Sequence, residues 1–283
     1  MLSWGISWSN AKILGEYFSP TTIMFWRFLI ATIVLSPFLL LFKIEIDKVK
    51  SQIVKIILAS LLLCLYNYCY FQGTQIGLAG IGGVLVTTLM PVFTTILTIL
   101  FFKTKVNKNV KIGIFLGIIS GIIILKLWQY DLSQLIKSGN IYFILGAFSW
   151  SILTIFTQKI TEKIPSLIYS IILFSMSSLL ILLIFPDSTS IKIFQSEYRF
   201  WIHFLSVTIG ALAFGTVSYF YATQKLGATI ASSFSFLVPV SAIIFSIIIL
   251  NEIPDKLSWI GCTIAILSVI IINIPPKTNK PSM

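Results

Sequence analysis

Charged side chains are scarce in this sequence: they make up 10% of its 283 residues, whereas 57% of the residues are hydrophobic. A water-soluble domain could not cover its surface with so few charges. The net charge of +11 does not indicate a nucleic-acid partner, because lysines in short cytoplasmic loops account for it. The mean hydropathy of +0.98 predicts an integral membrane protein whose surroundings are lipid.

Metal-binding and catalytic side chains are also rare. The three cysteines (Cys64, Cys69 and Cys262) lie inside apolar runs and have neither metal-ligand nor disulfide spacing. The single histidine, His203, cannot form a metal site alone. No phosphate-binding glycine loop or catalytic triad stands out. We therefore expect no metal, no cofactor and no enzymatic activity.

No aspartate or glutamate lies in the middle of an apolar run. A proton relay of buried carboxylates, which many transporters use, therefore has no obvious carrier. This absence favours facilitated diffusion or exchange, or coupling by a route that the sequence does not reveal. It also counts against a permanently cationic drug as the preferred substrate, because no buried anion would receive it.

What the sequence does contain is a series of continuous apolar runs, which predict membrane-spanning helices and not the alternating strands of a barrel. We predict an all-α integral membrane fold with ten transmembrane helices. The predicted spans are 2–14, 21–42, 53–75, 83–102, 110–127, 140–160, 165–185, 201–223, 230–250 and 257–274. The first is too short to cross a bilayer, since 13 helical residues rise only about 20 Å, and we expect it to be truncated.

An internal duplication organises these runs. Two apolar segments, 84–100 and 232–248, each carry one central proline, Pro91 and Pro239, which are 148 residues apart. The same offset aligns Leu89 with Leu237 and Gly113 with Gly261. We predict a five-helix repeat over 1–135, a second over 139–274, and a cytoplasmic tail over 275–283.

Lysine and arginine predict the orientation. With the N-terminus inside, most of them fall in cytoplasmic loops, as the positive-inside rule requires. Ten spans then leave both termini in the cytoplasm. Because each repeat has an odd number of spans, the second repeat is inverted relative to the first, as in many secondary transporters. Such halves can open a central site alternately to either side.

The ordered motifs resemble the ten-span EamA branch of the drug/metabolite transporter superfamily. Trp4-Gly5 followed by Asn10 and Lys12 is similar to the family's opening helix, and Phe25–Ala31 (FWRFLIA) to its arginine-bearing segment. The end of the second half, LNEIPDKLSWIGCTIAILSVIII, is similar to the family's closing helix with its acidic residue. The first half departs from the pattern, because Thr104 stands where Glu252 stands in the second.

This resemblance implies a pore lined by spans 1, 3, 4, 6, 8 and 9, with spans 5 and 10 at the periphery. It also implies that Asn10 and Lys12 lie on a pore-facing helix. Polar aromatic residues crowd spans 3 and 8, and they favour either an aromatic-walled pocket or plain packing. The candidate substrate-binding residues are Trp4, Trp8, Asn10, Lys12, Tyr66, Asn67, Tyr70, Trp150, Tyr219 and Ser235.

Two further features each allow two interpretations. Arg27 lies within a span, where it is either a structural cation bonded to backbone carbonyls or part of a gate or site. The glycines Gly113, Gly117 and Gly121 form a doubled G-x-x-x-G pattern, which indicates close helix approach. Packing within the chain is favoured over dimerisation, so we expect a monomer in contact with membrane lipid.

The function that we infer is an inner-membrane secondary transporter of small organic metabolites, with amino acids or related compounds exported by alternating access. One alternative is efflux of drugs or aromatic cations. Another is a membrane-embedded protein that does not transport, such as a lipid-handling enzyme or a sensor. The expected partners are a small-molecule substrate and lipid, without nucleic acid.

The two prolines generate a test. A proline inside a helix removes a hydrogen bond and kinks the chain, so each is either a fixed packing kink or a hinge for gating. If they are hinges, the Pro91→Ala and Pro239→Ala variants fold but transport more slowly. Transport assays on both variants decide the matter, and wild-type rates in both would exclude the hinge.

Overall fold

The computed structural model describes residues 1–42, 45–102, 108–126, 128–129, 132–272 and 274. The described residues are largely helical and contain no β-strand. The longer helices are α1 (Leu2–Leu14), α2 (Pro20–Leu35), α3 (Ile46–Ile76), α4 (Ala79–Phe102), α5 (Lys108–Leu125), α7 (Asn140–Thr161), α8 (Ser166–Ile184), α12 (Leu237–Leu250) and α13 (Lys256–Ile272). The shorter ones are α6 (Leu132–Lys137), α9 (Tyr198–Leu205), α10 (Val217–Leu226) and α11 (Ala228–Ser233). The predicted tail, 275–283, and Thr104 lie outside the described residues.

Seven of the described helical segments are long and apolar enough to cross a membrane. They are α2 with its 3₁₀ extension to Leu41, α3, α4, α5, α7, α8 and the continuous segment Tyr198–Leu226. Two shorter apolar helices follow, Val238–Leu250 and α13. The prediction of an all-helical membrane protein is confirmed. The prediction of ten spans exceeds this set by α1 and by the two short helices.

The helix ends follow local sequence rules. Ser19 precedes Pro20 and its hydroxyl accepts a hydrogen bond from the Thr22 amide at 3.4 Å, which caps α2. Gly227 ends α10 with φ of 84°, a left-handed conformation that favours glycine. Helix α3 begins at Ile46, seven residues before the predicted start, because its first turns carry charged residues that extend beyond the apolar run.

The eighth predicted span has an unusual middle. Between α9 and α10 the helix widens into a π-helical segment, Ser206–Thr216. A π-helix is rare and often marks a functional site. Here two side chains from other helices bond to its carbonyl groups. Trp4 Nε1 donates to Ala211 O at 2.9 Å, and Arg27 donates to Val207 O.

The two proline segments differ in the structure. Helix α4 runs continuously through Pro91. In the second segment, α11 ends at Ser233, a 3₁₀ turn covers Phe234–Phe236, and α12 then starts. Pro239 is therefore the third residue of a new helix and not the middle of a long one. The first turn of a helix tolerates proline because its N–H groups lack partners anyway.

The packing pairs of the helices form a regular pattern. Helix α5 packs on α13, α2 on α8, and α4 on α12. Helix α3 packs on α7, and the segment Tyr198–Leu226 packs on α1; likewise α4 packs on α7, and α12 on α1. For these seven pairs, exchanging each helix for the helix at the corresponding position in the other half of the sequence gives the same seven pairs.

The G-x-x-x-G glycines lie inside the chain's own packing. Ser268 Oγ on α13 donates to Gly113 O on α5 at 2.7 Å. A Cβ atom at Gly113 would lie 2.8 Å from Ser268 O, and one at Gly117 would lie 2.5 Å from Val92 Cγ2. The α5–α13 pair is therefore in backbone contact. Around Gly121 there is more room, since the nearest atom is Leu89 Cδ2 at 3.5 Å.

This difference predicts opposite effects for two similar substitutions. Gly113→Ala forces α5 away from a backbone carbonyl, and overpacking of this kind costs about 1–3 kcal/mol. Gly121→Ala meets only ordinary contact and gains up to about 1 kcal/mol of helix propensity. Thermal unfolding of the detergent-solubilised protein should show a lower melting temperature for Gly113→Ala alone. Equal melting temperatures would contradict this packing.

Candidate functional site

A small cavity lies where α1, α2, α3, α4, α7 and the π-helical segment converge. Its walls contain most of the predicted aromatic residues together with the buried Arg27. They are Trp4, Ser7, Trp8, Arg27, Tyr66, Asn67, Tyr70, Thr87, Met90, Trp150, Ala211, Leu212 and Thr216. Its volume is about 20 Å³, which is room for about one water molecule. In this conformation the cavity is therefore too small to hold more than about one water molecule.

Aromatic rings form one side of the cavity. Trp4 meets Trp150 edge-to-face, with ring centroids 5.5 Å apart, and Tyr219 lies 5.2 Å from Trp4 and 5.7 Å from Trp150. Tyr66 packs against Trp150 at 4.5 Å. Such faces attract cations and flat apolar groups.

Arg27 supplies the positive charge of the cavity. Its Nε and Nη2 atoms donate to Val207 O at 3.3 and 3.2 Å, and its Nη1 donates to Asn67 Oδ1 at 2.5 Å. The guanidinium lies over the rings of Tyr70 and Phe71 at 5.7 and 5.5 Å. No carboxylate among the described residues forms an ion pair with it. A buried cation without a counter-ion favours an anionic ligand group.

Trp150 carries a donor that is poorly used. Its indole N–H is buried, and no acceptor within the described part of the chain meets it in good hydrogen-bond geometry. The Tyr219 hydroxyl is near enough for a weak interaction only. Buried N–H groups are almost always paired in native proteins. Because Trp150 lines the cavity, a ligand acceptor in the cavity could pair with it.

Ser235 bonds to α4 at Thr87, in the turn that precedes Pro91. Proline has no N–H, so Pro91 cannot bond to the carbonyl four residues earlier, which belongs to Thr87. Ser235 Oγ donates to this carbonyl at 2.9 Å. The predicted site residue Ser235 therefore satisfies the group that the predicted hinge residue frees. Thr87 and Met90 line the cavity, so the turn of α4 before Pro91 forms part of its wall.

A charged closure lies at one end of the helix bundle. Lys12, eight residues beyond Trp4 on α1, forms an ion pair with Glu252 and also donates to Gly77 O at 2.9 Å. Glu252 accepts in addition from the Ala79 amide at 2.8 Å and from Ser246 Oγ at 2.7 Å. The carboxylate thus ties α1 to the N-terminus of α4 and the end of α12, and the dipole of α4 favours it there.

Beside this closure is a vestibule of about 360 Å³. Lys12, Lys126, Asp255 and Asn140 are among the residues that line it. A hydrogen bond from the Lys126 amine lowers the pKa of Asp255 to about 2. Asp255 therefore remains ionised at any pH that the membrane meets, and it caps α13 through the Ser258 amide at 2.8 Å.

An uncharged closure lies at the other end of α7. Gln158, eight residues beyond Trp150, accepts from the Ala228 amide at the start of α11 at 2.9 Å. Gln224 donates to Thr161 O at 2.7 Å and accepts from the Ser166 amide at 3.4 Å. Because α7 starts at the vestibule with Asn140, the two closures are about 27 Å apart along this helix.

The structure thus brings together Trp4, Trp8, Arg27, Tyr66, Asn67, Tyr70 and Trp150. Tyr219 packs against Trp4, and Ser235 bonds to Thr87 of the cavity wall. Two predicted residues lie elsewhere. Lys12 belongs to the charged closure. Asn10 contacts Ser206 and His203 and does not line the cavity.

Sequence reasoning missed Glu252 as the partner of Lys12, and also Thr87, Met90 and Gln158. The alignment of Ser3-Trp4 with Ser149-Trp150, an offset of 146 residues, places Gln158 opposite Lys12. That alignment would have identified the second closure.

Similarity to known proteins identifies the family of this chain. The family model of the EamA-like transporter family matches residues 1–126 and 137–274. The chain belongs to the EamA-like transporter family. This EamA-like chain is 27% identical, over 93% of its length, to the S-adenosylmethionine uptake transporter of Rickettsia conorii, of which the match covers 85%.

A second relative is named as an inner membrane transporter. The EamA-like chain is 24% identical over 96% of its length to the uncharacterized inner membrane transporter YedA of Escherichia coli K12, of which the match covers 87%. A crystal structure that is 13% identical superimposes with a TM-score of 0.69, covering 95% of this chain and 94% of the other. The fold is therefore shared, and the apolar helices and the relatives together indicate a multi-pass inner membrane protein.

The Thr87–Ser235 contact predicts a non-additive pair of substitutions. Ser235→Ala leaves the buried Thr87 carbonyl without a donor, which costs about 1–3 kcal/mol. In a Pro91→Ala background the introduced alanine supplies a backbone N–H that bonds to this carbonyl, so Ser235→Ala costs much less. A double-mutant cycle measured by thermal unfolding tests this. Additive effects would show that Ser235 does not replace the helical hydrogen bond that Pro91 removes.

Proposed function

We propose that the chain is a secondary transporter of the cell inner membrane that moves small amino-acid-like metabolites by alternating access. The observation that carries this proposal is the position of the cavity between two closures. Lys12 follows Trp4 by eight residues on α1, and Gln158 follows Trp150 by eight residues on α7. Each closure therefore lies about 12 Å from the aromatic cluster along its helix.

Two inverted five-helix repeats are part of this proposal. Helix α1 ends at the vestibule, where α7 begins, so the two helices run in opposite directions. The exchange symmetry of the packing pairs supports the same arrangement. Helices α1, α12 and α13 then complete ten spans. The lysine distribution favours both termini in the cytoplasm, which puts the charged closure outside and the glutamine closure inside.

The substrate class follows from the cavity walls. Arg27 suits a carboxylate, since a guanidinium binds it through two parallel hydrogen bonds. The Trp4, Trp150 and Tyr219 rings suit an ammonium, a sulfonium or a flat ring. An amino acid or a derivative that carries such groups matches both halves of the cavity. S-adenosylmethionine, for which the Rickettsia relative is named, belongs to this class.

Binding requires the walls to move. Small-molecule sites usually measure about 300–1,000 Å³, far more than the volume of about 20 Å³ observed. Opening either closure releases one end of α1 or α7 and enlarges the cavity from that side. Pro91 follows Met90, which lines the cavity. Because the helical hydrogen bond at Pro91 is already missing, α4 can bend there without breaking one.

We propose export as the physiological direction. The Rickettsia relative carries a name for uptake, so the test must measure both directions. Efflux of aromatic cations is the second candidate, and the Trp and Tyr rings of the cavity favour it. Arg27 opposes it, because a cationic ligand would meet a buried like charge.

The test uses purified protein in proteoliposomes. Influx and efflux of radiolabelled amino acids, S-adenosylmethionine, nucleobases and ethidium are compared, with and without a proton gradient. We expect saturable transport of carboxylate-bearing compounds and weak transport of ethidium. The reverse order would overturn the proposed substrate class, and no transport of any compound would overturn the proposed function.

Arg27 gives the sharpest variant. Arg27→Gln removes the charge-assisted contacts to the substrate carboxylate, so KM should rise about tenfold or more. Arg27→Lys keeps the charge but loses the planar fork, and its KM should lie in between. The matched control is Lys50→Gln, which removes an exposed positive charge in the first turns of α3. Wild-type KM in Arg27→Gln would exclude carboxylate binding by this residue.

A further inference from the structure

His203 is the single histidine of the chain. His203 lies on α9, partly exposed, and its side chain contacts Asn10 of α1. Histidine is the only side chain whose ordinary pKa lies between about pH 5 and 8. The chain therefore has one side chain suited to bind and release protons under physiological conditions, and this side chain joins two helices of the cavity region.

The hydrogen bonds define its protonation. Asn10 Nδ2 donates to Ser206 Oγ at 2.8 Å, so Asn10 Oδ1 faces the imidazole. The Nδ1 atom of His203 lies 2.9 Å from this oxygen and must be the donor. Within the described part of the chain no hydrogen bond to Nε2 is found, and His203 is partly exposed, so Nε2 can accept a second proton from water.

This pair is close to the cavity along both helices. Ser206 begins the π-helical segment. The carbonyl of the next residue, Val207, accepts from Nε and Nη2 of Arg27. On α1, Ser7 and Trp8 line the cavity shortly before Asn10. A shift of α1 relative to α9 therefore reaches both the aromatic cluster and the guanidinium.

The charges around His203 come from two elements. Glu16, in the connection after α1, and Arg199, on α9 itself, act on it with opposite signs. Nearby, Tyr17 Oη donates to Glu197 at 2.6 Å and joins the same two elements. Asn10, the side chain that faces the imidazole from α1, is neutral. Protonation thus adds a positive charge to a rim that already contains charges of both signs.

We propose that His203 is a proton-binding site that links transport to pH, acting as a positioning residue for α1. This proposal rests on the proposed function. A proton on Nε2 converts the Nδ1–H···Oδ1 bond to Asn10 into a charge-assisted bond, which is stronger. It holds α1 against α9 at the end where Lys12 pairs with Glu252. Loss of the proton weakens this tie and lets the outer closure open.

The first experiment is a pH profile in proteoliposomes with equal pH on both sides, using each panel compound that the wild-type protein transports. The wild-type rate should rise about fivefold from about pH 5 to about pH 8, as the stronger bond is lost. His203→Gln keeps a donor toward Asn10 but cannot be protonated, so its profile should be flat. Lys192→Gln, an exposed charge after α8, is the matched control and should keep the wild-type profile.

The second experiment needs no variant. With one histidine in the chain and a histidine-free affinity tag, ¹⁵N-histidine labelling gives a single imidazole. At about pH 8 its ¹⁵N shifts should show the proton on Nδ1, and the signal should titrate as the pH is lowered. By linkage, a transported compound should move the midpoint of this titration.

The outcomes separate the two proposals. A His203→Gln profile that still follows the wild type, or a ligand-independent midpoint, overturns the proton linkage and leaves the transport proposal intact. An Nε2-protonated imidazole at about pH 8 overturns the hydrogen-bond geometry on which the linkage rests. If no panel compound is transported at either pH, the proposed function fails, and the proton linkage fails with it.

Discussion

A buried guanidinium needs acceptors, and the way Arg27 obtains them shapes the centre of this protein. In a helix surrounded by lipid, backbone carbonyl groups are normally occupied by the helix itself. The π-helical segment changes that pattern, and Val207 O accepts from Nε and Nη2 of Arg27. Asn67 takes the remaining bond. Helices α2 and α3 are thereby fixed against the segment Ser206–Thr216, and the cavity forms where these bonds meet the tryptophans of α1 and α7.

The two closures around this cavity resemble each other in position and differ in chemistry. In each closure, a side chain eight residues after a cavity tryptophan is bonded at the N-terminus of a later helix of its own half. Lys12 reaches α4 through Glu252, which accepts from the Ala79 amide, and Gln158 accepts directly from the Ala228 amide of α11. One closure uses a carboxylate that receives three donors, and the other uses neutral glutamine amides. An ion pair is weakened by salt and by competing carboxylates, whereas amide hydrogen bonds are not. Two closures can thus share one geometry while they respond to different signals.

The sequence was informative where a pattern is local and uninformative where partners are distant. The aromatic residues of the cavity could be predicted because polar aromatics stand out within apolar helices. The break before Pro239 could not, since Phe234–Phe236 reads as the same apolar run that is continuous around Pro91. The partner of Lys12 is 240 residues away, and only folding reveals it. The carbonyl of Thr87 likewise finds Ser235 in the other half of the chain.

His203 lies on the side of the charged closure, and this location has a physical consequence. Its bond to Asn10 and the Lys12–Glu252 pair hold neighbouring parts of α1, two residues apart, against α9 and the end of α12. A proton on His203 strengthens its bond to Asn10. It leaves the Lys12–Glu252 pair unchanged, because Glu252 keeps its hydrogen bonds from the Ala79 amide and Ser246 Oγ. The described glutamine closure contains no group that titrates near neutral pH. Proton concentration therefore acts on one end of the bundle, so the two closures respond unequally to pH.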